Sequence, residues 1–320
     1  MKKTKTFKTL DEQVEILKNK GLIIEDEEKA KEILFRENYF FISGYRHLFM
    51  KSFKDSTFIK GTTFDELYST FQFDRNLRNI MFKHLLIIEN NVKSIFSYTL
   101  SKKYGFKEKD YLNPKNFTQD KLKNRQVYDV INKMKRQIRV NGKQHAATMH
   151  YLSNYGYIPM WILVKVLSFG IISELYNILK IEDQIAIAEI YDLDPETLSI
   201  YLSLLSNFRN LCAHEDILYD HRTQRVIPDT RYHFELGIEM TDDEYDYGKN
   251  DLFAIIIIMK QMLRIEEFNE LIFEIGYEID ILDGKVDTVP LELILNKIGF
   301  PSNWREIENI KWRWIYEKSI

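Results

Sequence analysis

The sequence predicts an all-α fold, and three observations lead to this prediction. Hydrophobic residues make up 45% of the 320 residues and charged residues 29%, so the chain can bury a large core. There are only 12 Gly and 6 Pro, too few for a turn-rich β-sandwich or barrel. Apolar residues recur at steps of three or four over long stretches, which is the period of an amphipathic helix. Long helices of this kind favour a helical bundle.

Two capping signals predict where the N-terminal helices begin. Thr9 and Glu12, and again Thr63 and Glu66, have the spacing of a capping box, in which a hydroxyl and a carboxylate satisfy backbone N–H groups at a helix start. The second box opens the longest periodic stretch, which extends to about residue 104 with or without a break. Its predicted apolar stripe consists of Leu77, Met81, His84, Ile88, Asn91 and Ile95.

The remaining elements follow in chain order. The aromatic segment 38–45 is predicted to be irregular chain laid against the core. Pro159 and Pro195 suit the first turns of helices, and residues 216–250 form a polar connection that can hold a short hairpin. Helices are predicted over 161–167, 171–179, 182–191, 195–215 and 251–280. We divide the chain into an N-terminal helical arm (1–60), a helical domain (61–285) with a basic insertion at about 102–145, and a C-terminal tail (286–320).

The charge is unevenly distributed although the net charge is only -3. Residues 102–145 hold 13 Lys/Arg and 4 Asp/Glu, a net charge of +9, whereas residues 235–292 hold 4 Lys/Arg and 16 Asp/Glu, a net charge of −12. A basic block of this density suggests an anionic partner, most commonly nucleic acid. A solvated basic loop without a partner is the alternative.

Several classes of protein do not fit the sequence. Cys212 is the only cysteine, so an internal disulfide framework and a multi-thiolate zinc site are excluded. The longest apolar run, 252–259, is too short to span a bilayer, and no apolar stretch follows the charged N-terminus as in a secretory signal. A cytoplasmic protein without a membrane partner is therefore expected. No Gly-rich phosphate loop is present, and neither a metal nor a cofactor is predicted.

The segment 207–215 holds the residues that can carry chemistry, at the end of an otherwise apolar helix. Asn210 and His214 are four residues apart and share a helix face, so the amide could orient the imidazole. Arg209 and His214 are five apart and point about 140° from each other. One copy is therefore a poor acid–base pair, whereas two copies across a two-fold axis could form one composite site.

Such a site suits RNA cleavage. The ribose 2′-hydroxyl must lose a proton to attack the adjacent phosphate, and the leaving 5′-oxygen must gain one. A histidine can serve as base or acid near neutral pH, and an arginine offers a planar fork of donors to phosphate oxygens. Two other interpretations of the segment stay open. Arg209 and His214 could form a structural hydrogen-bond network at the helix end, and Cys212, His214 and His221 could bind a metal, although a fourth ligand is missing.

Residues 209–214, Arg-Asn-Leu-Cys-Ala-His, resemble the R-N-x-x-A-H motif of the HEPN ribonuclease superfamily. More closely, about residues 8–305 resemble the bacterial abortive infection (Abi) family of phage-defence proteins, and more distantly the type VI CRISPR nucleases. The order of several short motifs carries this resemblance. They lie at residues 9–13, 20–24, 38–45, 73–78, 88–89, 159–161, 168–170 and 299–301, with Trp304.

The resemblance implies a HEPN-like helical bundle, RNA as the ligand, a homodimer and a role in phage defence. By position, Arg209, Asn210 and His214 match the HEPN motif. His214 would then be the acid–base residue, Arg209 would stabilise the transition state and Asn210 would orient His214. The expected activity is that of a metal-independent endoribonuclease that leaves 2′,3′-cyclic phosphate ends. Some relatives pair with a small non-coding RNA.

Further residues are expected to bind RNA. Lysines and aromatic residues alternate in the basic block, and this pattern is typical of surfaces that contact backbone and bases. Arg222 matches an arginine that follows the motif histidine in the family. Glu215 and Asp216 depart from that run and place carboxylates beside the phosphate site, which favours a non-catalytic RNA-binding protein as the alternative. The predicted RNA-binding residues are Lys133, Lys135, Arg136, Arg139 and Arg222.

Overall fold

The structure is a computed structural model that describes residues 6–51 and 56–311. The all-α prediction is confirmed. The helices are α1 (Leu10–Asn19), α2 (Glu27–Glu37), α3 (Tyr39–Ser43), α4 (Phe64–Tyr104), α5 (Glu108–Tyr111), α6 (Asn124–Asn141), α7 (Ala146–Tyr155), α8 (Met160–Val166), α9 (Phe169–Ile178), α10 (Ile181–Ala188), α11 (Pro195–Ala213), α12 (Arg231–Glu235), α13 (Leu252–Met262), α14 (Ile265–Asp283) and α15 (Leu291–Ile298). Short 3₁₀ helices cover Gly44–Phe49, Pro114–Asn116, Glu189–Tyr191 and Trp304–Asn309.

Helix α4 is the central element of the bundle. Both predicted capping boxes are present, and the one at Thr63 starts α4, which runs unbroken for 41 residues, about 60 Å. Helices α8, α11 and α14 pack along it. Of the predicted stripe, Leu77, Met81, His84 and Ile88 are fully buried, whereas Asn91 and Ile95 are partly exposed. The position of α4 brings residues from distant parts of the chain onto one helix.

Some predicted elements differ in detail from the structure. The segment 38–45 is helical rather than irregular, since α3 continues into a 3₁₀ helix. The stretch 251–280 is two helices, α13 and α14, separated at residues 263–264. Pro159 precedes α8 as its N-cap instead of lying in the first turn. Ser168 starts α9, because its hydroxyl accepts from the Ile171 N–H. The apolar periodicity predicts that these stretches are helical, but it does not locate the breaks between helices, which depend on individual capping contacts.

The basic block includes the end of α4, α5 and α6. Helix α6 is amphipathic and packs against α8 and α9. Its buried residues are Val127, Val130, Ile131 and Met134. The block therefore has an apolar face as well as a charged one, and the division of the chain into arm, domain and tail stays a prediction.

Two further features complete the fold. A two-residue antiparallel hairpin, Met240–Thr241 with Glu244–Tyr245, lies in the predicted connection. In the C-terminal segment Trp304 is buried, while Trp312 and Trp314 lie outside the described residues. Within residues 6–51 and 56–311, the helices are too short or too polar to cross a membrane.

Candidate active site

Helix α11 carries the motif and ends at it. Asp194 caps the start by accepting from the N–H groups of Glu196 and Thr197, and Pro195 occupies the first turn, as predicted for this proline. At the other end, the Asp216 N–H donates to the Leu211 carbonyl at 3.3 Å, the bond of a Schellman-type C-terminus. The site is thus at a well-formed helix end.

The residue that reverses the chain here is Glu215, which adopts the left-handed conformation with φ 57°. Because this turn follows directly, His214 is the C-cap of α11 and stands outside its regular turns. Its side chain is exposed. A substrate could therefore reach the imidazole without opening the core.

Arg209 is held by a buried carboxylate on α4. Its Nε donates to Glu89 Oε2 at 3.1 Å, while the other oxygen of Glu89 accepts from Lys93 Nζ at 2.7 Å. The Glu89 side chain is 4% exposed and that of Arg209 29%. The guanidinium also lies over the Phe82 ring, 5.6 Å from its centroid.

This arrangement determines which atoms of Arg209 are available. Among the residues that the structure describes, its two terminal nitrogens have no hydrogen-bond partner. They form the edge that binds phosphate oxygens as a pair, because their N–H groups are parallel. Glu89 therefore holds the arginine through its inner nitrogen and leaves the edge formed by the two terminal nitrogens without a partner in the described part of the chain. The four-residue spacing of Glu89 and Lys93 predicts only a pair within one helix, and the contact with Arg209 is found only in the tertiary structure.

Asn210 and His214 are both exposed, and the predicted side-chain hydrogen bond between them is not formed in this structure. Only the backbone is linked, by the His214 N–H to the Asn210 carbonyl at 3.0 Å. The reason is that His214 has left the helical path on which the four-residue spacing brings side chains together. Within the described chain Arg209 and His214 are also not in contact. The composite site formed by two copies stays a prediction.

A buried polar network holds the loop that follows His214. Asp74 is fully buried and accepts from the Tyr45 hydroxyl at 2.6 Å, from the Leu218 N–H at 3.2 Å and from Arg78. Arg78 also donates to the Asp216 carbonyl at 3.3 Å. Burial and the neighbouring carboxylate raise the pKa of Tyr45, so its hydroxyl stays protonated and donates.

The network connects two segments that are far apart in sequence and that both belong to the motifs resembling the Abi family. Tyr45 belongs to the segment 38–45, and Asp74 and Arg78 belong to the segment 73–78; both segments meet at the end of α11. The four-residue spacing of Asp74 and Arg78 on a mostly apolar stretch is the sequence signal that indicates a buried pair. Residues of these two segments therefore hold the loop that follows α11, through hydrogen bonds to Asp216 and Leu218.

The remaining cysteine and histidine candidates have the following surroundings. Burial raises the pKa of the Cys212 thiol to about 12, as expected for an inert cysteine. Residues 6–51 and 56–311 contain no group of three or more His, Cys, Asp or Glu that could hold a metal. His84 is a core histidine, as favoured from its position: its Nε2 lies 3.1 Å from Glu274, and burial lowers its pKa.

The predicted RNA-binding residues lie on two surfaces. On α6, Lys133 pairs with Glu174 at 2.6 Å, and the three further cations are exposed. Arg222 donates to the Lys297 carbonyl at 2.8 Å, which ties it to the end of α15. A groove of about 480 Å³ runs from Lys133 to Ser199 on α11. Ser199 precedes His214 by 15 residues, about 22 Å along the helix, so the α6 cations lie toward the opposite end of α11.

The fold and the site together define a mainly helical protein with an arginine and a histidine at the end of α11, a helix that is bonded to α4. The sequence profile of the Abi-like protein family matches residues 32–220. This match covers more than half of the chain and includes the network residues and the motif, and the chain belongs to the Abi-like protein family. Membership connects it with abortive infection and phage defence. Searches of curated proteins and of solved structures found no match to the chain.

Proposed function

We propose that this protein is a metal-independent endoribonuclease of abortive infection that acts as a homodimer in the cytoplasm. The observation that carries the proposal is the state of Arg209. A buried carboxylate holds its Nε, its terminal nitrogens have no hydrogen-bond partner among residues 6–51 and 56–311, and an exposed histidine lies at the end of the same helix. An arginine fork and an accessible imidazole are the groups that phosphodiester cleavage needs, and a second copy of the chain would bring them to one phosphate.

The reaction assigns one task to each group. One His214 removes the proton from the ribose 2′-hydroxyl, and that oxygen attacks the adjacent phosphorus. The bond to the 5′-oxygen breaks, and a second, protonated His214 supplies the proton that this oxygen takes up. Arg209 binds the non-bridging oxygens, whose negative charge increases in the transition state. The products are a 2′,3′-cyclic phosphate and a 5′-hydroxyl, so protons balance and no redox partner is needed.

The need for two histidines is the reason to propose a homodimer. Within one chain Arg209 faces Phe82 and Glu89 on α4, whereas His214 stands past the helix end. An acid and a base on opposite sides of one phosphate require two imidazoles. A second copy related by a two-fold axis supplies the second histidine and a second arginine. Asn210, exposed one turn before His214, would orient the imidazole in that assembly.

A second candidate function is RNA binding without cleavage, in a complex with a small non-coding RNA. The observation that favours it is the pair of exposed carboxylates, Glu215 and Asp216, directly after His214. Their negative charge opposes a phosphate at that position. The surface of α6 would then bind RNA while the motif acts only as part of the scaffold.

One experiment separates the two functions. The purified protein, stripped of bound RNA, is incubated with total RNA in EDTA beside His214→Ala and Asn207→Ala, and the ends of the products are mapped. Asn207 is exposed on the same helix and serves as the matched control. Cyclic phosphate ends made by the unmutated protein and Asn207→Ala, and not by His214→Ala, are expected. Equal cleavage by His214→Ala would reject the catalytic assignment, and RNA binding without cleavage would favour the second function.

A further inference from the structure

A row of aromatic rings lies on the surface around α7 and the start of α8. We name it the aromatic strip, and it consists of His150, Tyr151, Tyr155, Tyr157, Phe106 and Trp161. Neighbouring ring centroids along the row are between 5.3 and 6.4 Å apart. These rings lie edge-on or at a tilt to one another, and none of these pairs is stacked face to face.

The strip is exposed, unlike most large rings of this protein. Phe106 is 38% exposed, Trp161 43% and Tyr155 58%, whereas rings such as Phe96 and Tyr176 are fully buried. Among the described residues, the hydroxyls of Tyr151, Tyr155 and Tyr157 have no hydrogen-bond partner. A contiguous exposed patch of this kind is characteristic of a surface that binds something.

The backbone under the strip is fixed on several sides. The Met160 N–H donates to the Phe106 carbonyl at 3.2 Å, which joins the start of α8 to the end of α4. The buried Tyr111 hydroxyl donates to the Ile158 carbonyl at 2.8 Å, and the Ile158 N–H donates to Glu108. The rings are therefore held in position before any ligand binds, which reduces the entropy lost on binding.

The helices that carry most of the strip bear cations only, and the nearby Glu108 carboxylate accepts from the Ile158 N–H. Residues 130–173, which include the second half of α6, all of α7 and all of α8, contain six Lys/Arg and no Asp/Glu. Lys107 Nζ lies 4.8 Å from the centroid of the Tyr157 ring. Lys165 is exposed one turn after Trp161. The surface thus offers cations and ring faces together and no carboxylate from these helices.

We propose that the aromatic strip binds the unpaired bases of single-stranded RNA, a proposal that rests on RNA being the ligand of the proposed function. Ring faces stack on bases whatever their identity, and the lysines contact the phosphates between them. Double-stranded RNA does not fit, since its bases are already stacked on one another. The strip would hold the strand by its bases, separately from the arginine and histidine that cleave it.

The test measures RNA affinity in the full-length protein with His214→Ala, so that cleavage cannot deplete the probe. The probes are a fluorescent 20-nucleotide oligouridine and a 20-base-pair RNA duplex. The variant Tyr155→Ala with Trp161→Ala removes two exposed faces of the strip, and Tyr155→Phe with Trp161→Phe keeps an aromatic ring at both positions. Phe273→Ala with Tyr277→Ala removes exposed rings from α14 and serves as the matched control.

We expect the alanine pair to weaken oligouridine binding by at least about tenfold, while the phenylalanine pair and the α14 control bind within about twofold of the parent. Duplex affinity should be lower and insensitive to the strip. An unchanged affinity of the alanine pair, an equal loss in the α14 control, or an equal loss for the duplex would overturn the proposal. Thermal unfolding of each variant shows that it is folded.

The outcomes also separate this proposal from the proposed function. If the unmutated protein leaves cyclic phosphate ends and the alanine pair binds oligouridine normally, the strip proposal is wrong and the ribonuclease stands. If the alanine pair loses affinity and the unmutated protein cuts no RNA, the strip is supported and the ribonuclease is wrong.

Discussion

Arg209 shows how one side chain can be held and available at once. Its Nε is bonded to Glu89, and Glu89 is in turn neutralised by Lys93, so a carboxylate that is 4% exposed has two cationic partners. A buried carboxylate without such partners would be costly. The ion pair therefore places the guanidinium, and in the proposed function its terminal nitrogens bind the phosphate.

The first prediction concerns Arg209→Lys. An ammonium group has no separate inner nitrogen, so lysine cannot bind Glu89 and present a two-donor fork to phosphate at the same time. We expect cleavage to fall by about 100-fold or more, the range found when one transition-state donor is removed. The measurement is kcat/KM on an RNA oligonucleotide. The control is Arg36→Lys, which alters an arginine that is 72% exposed on α2; retention of more than a tenth of the activity by Arg209→Lys would reject the role.

The second residue-scale prediction concerns Tyr45→Phe. The change removes the hydroxyl that donates to Asp74 and leaves that buried carboxylate with fewer donors. A hydrogen bond to a charged buried group contributes about 1.5–3 kcal/mol, and we expect a loss of this size in the free energy of unfolding, measured by urea denaturation. Tyr68→Phe is the matched control, since the Tyr68 hydroxyl has no partner among the described residues. A loss below about 0.5 kcal/mol would mean that the network does not depend on Tyr45.

At the scale of the element, the end of α11 contains a local conflict. A left-handed residue at this position of a helix C-terminus is usually glycine, which has no Cβ to oppose the conformation, and here it is Glu215. The bond from the Asp216 N–H and the contact of Arg78 with the Asp216 carbonyl hold the turn in place. The strained backbone conformation of Glu215 thus lies directly after the exposed His214.

The third prediction follows from this turn. Glu215→Gly relieves the left-handed strain, and we expect a gain of up to about 1 kcal/mol in the free energy of unfolding. Glu215→Ala keeps the strain and should show no such gain. Both variants remove a carboxylate next to His214, so both should cleave RNA at least as fast as the unmutated protein. A gain in stability from alanine equal to that from glycine would show that charge, and not backbone conformation, is the cause.

At the scale of the whole molecule, a lysine lies inside the packing between α13 and the C-terminal segment. Lys260 is 1% exposed, donates to the Glu308 carbonyl at 3.0 Å and lies 4.6 Å from the centroid of the Phe268 ring. Burial lowers its pKa to about 8. In the unfolded chain the pKa returns to about 10.5. Between these values the unfolded chain binds more protons than the folded one. The free energy of unfolding therefore rises with pH from about 8 to about 10.5, and this contribution is lost as the pH falls back through about 8.

The fourth prediction is that Lys260→Met stabilises the protein at neutral pH. The methionine fills similar volume without a charge to bury, and we expect a gain on the order of 1–3 kcal/mol at pH 7. The gain should shrink between pH 8 and pH 10, as the lysine of the unmutated protein becomes neutral in the folded state. Urea denaturation of both proteins across this range measures the difference. A gain that is the same at pH 7 and pH 10 would show that packing, and not the buried charge, is responsible.

Much of the fold could be predicted because helix signals are local. Capping at Thr9, Thr63 and Asp194 depends on residues within three positions, and all three caps are present. The stretch 251–280 has a strong helical pattern in both halves, and the short break between α13 and α14 at 263–264 does not interrupt that pattern. Local patterns therefore identify helices more reliably than they identify the turns between them.

What the sequence determined by itself is the helical class, the capped starts of α1, α4 and α11, and the motif at the end of α11. The tertiary structure alone decided which partners these residues have. Glu89 is 120 positions from Arg209, and Asp74 is 144 positions from Leu218. Partners this distant meet only because α4 and α11 pack side by side, and the spacing of residues along one helix contains no information about the face of another.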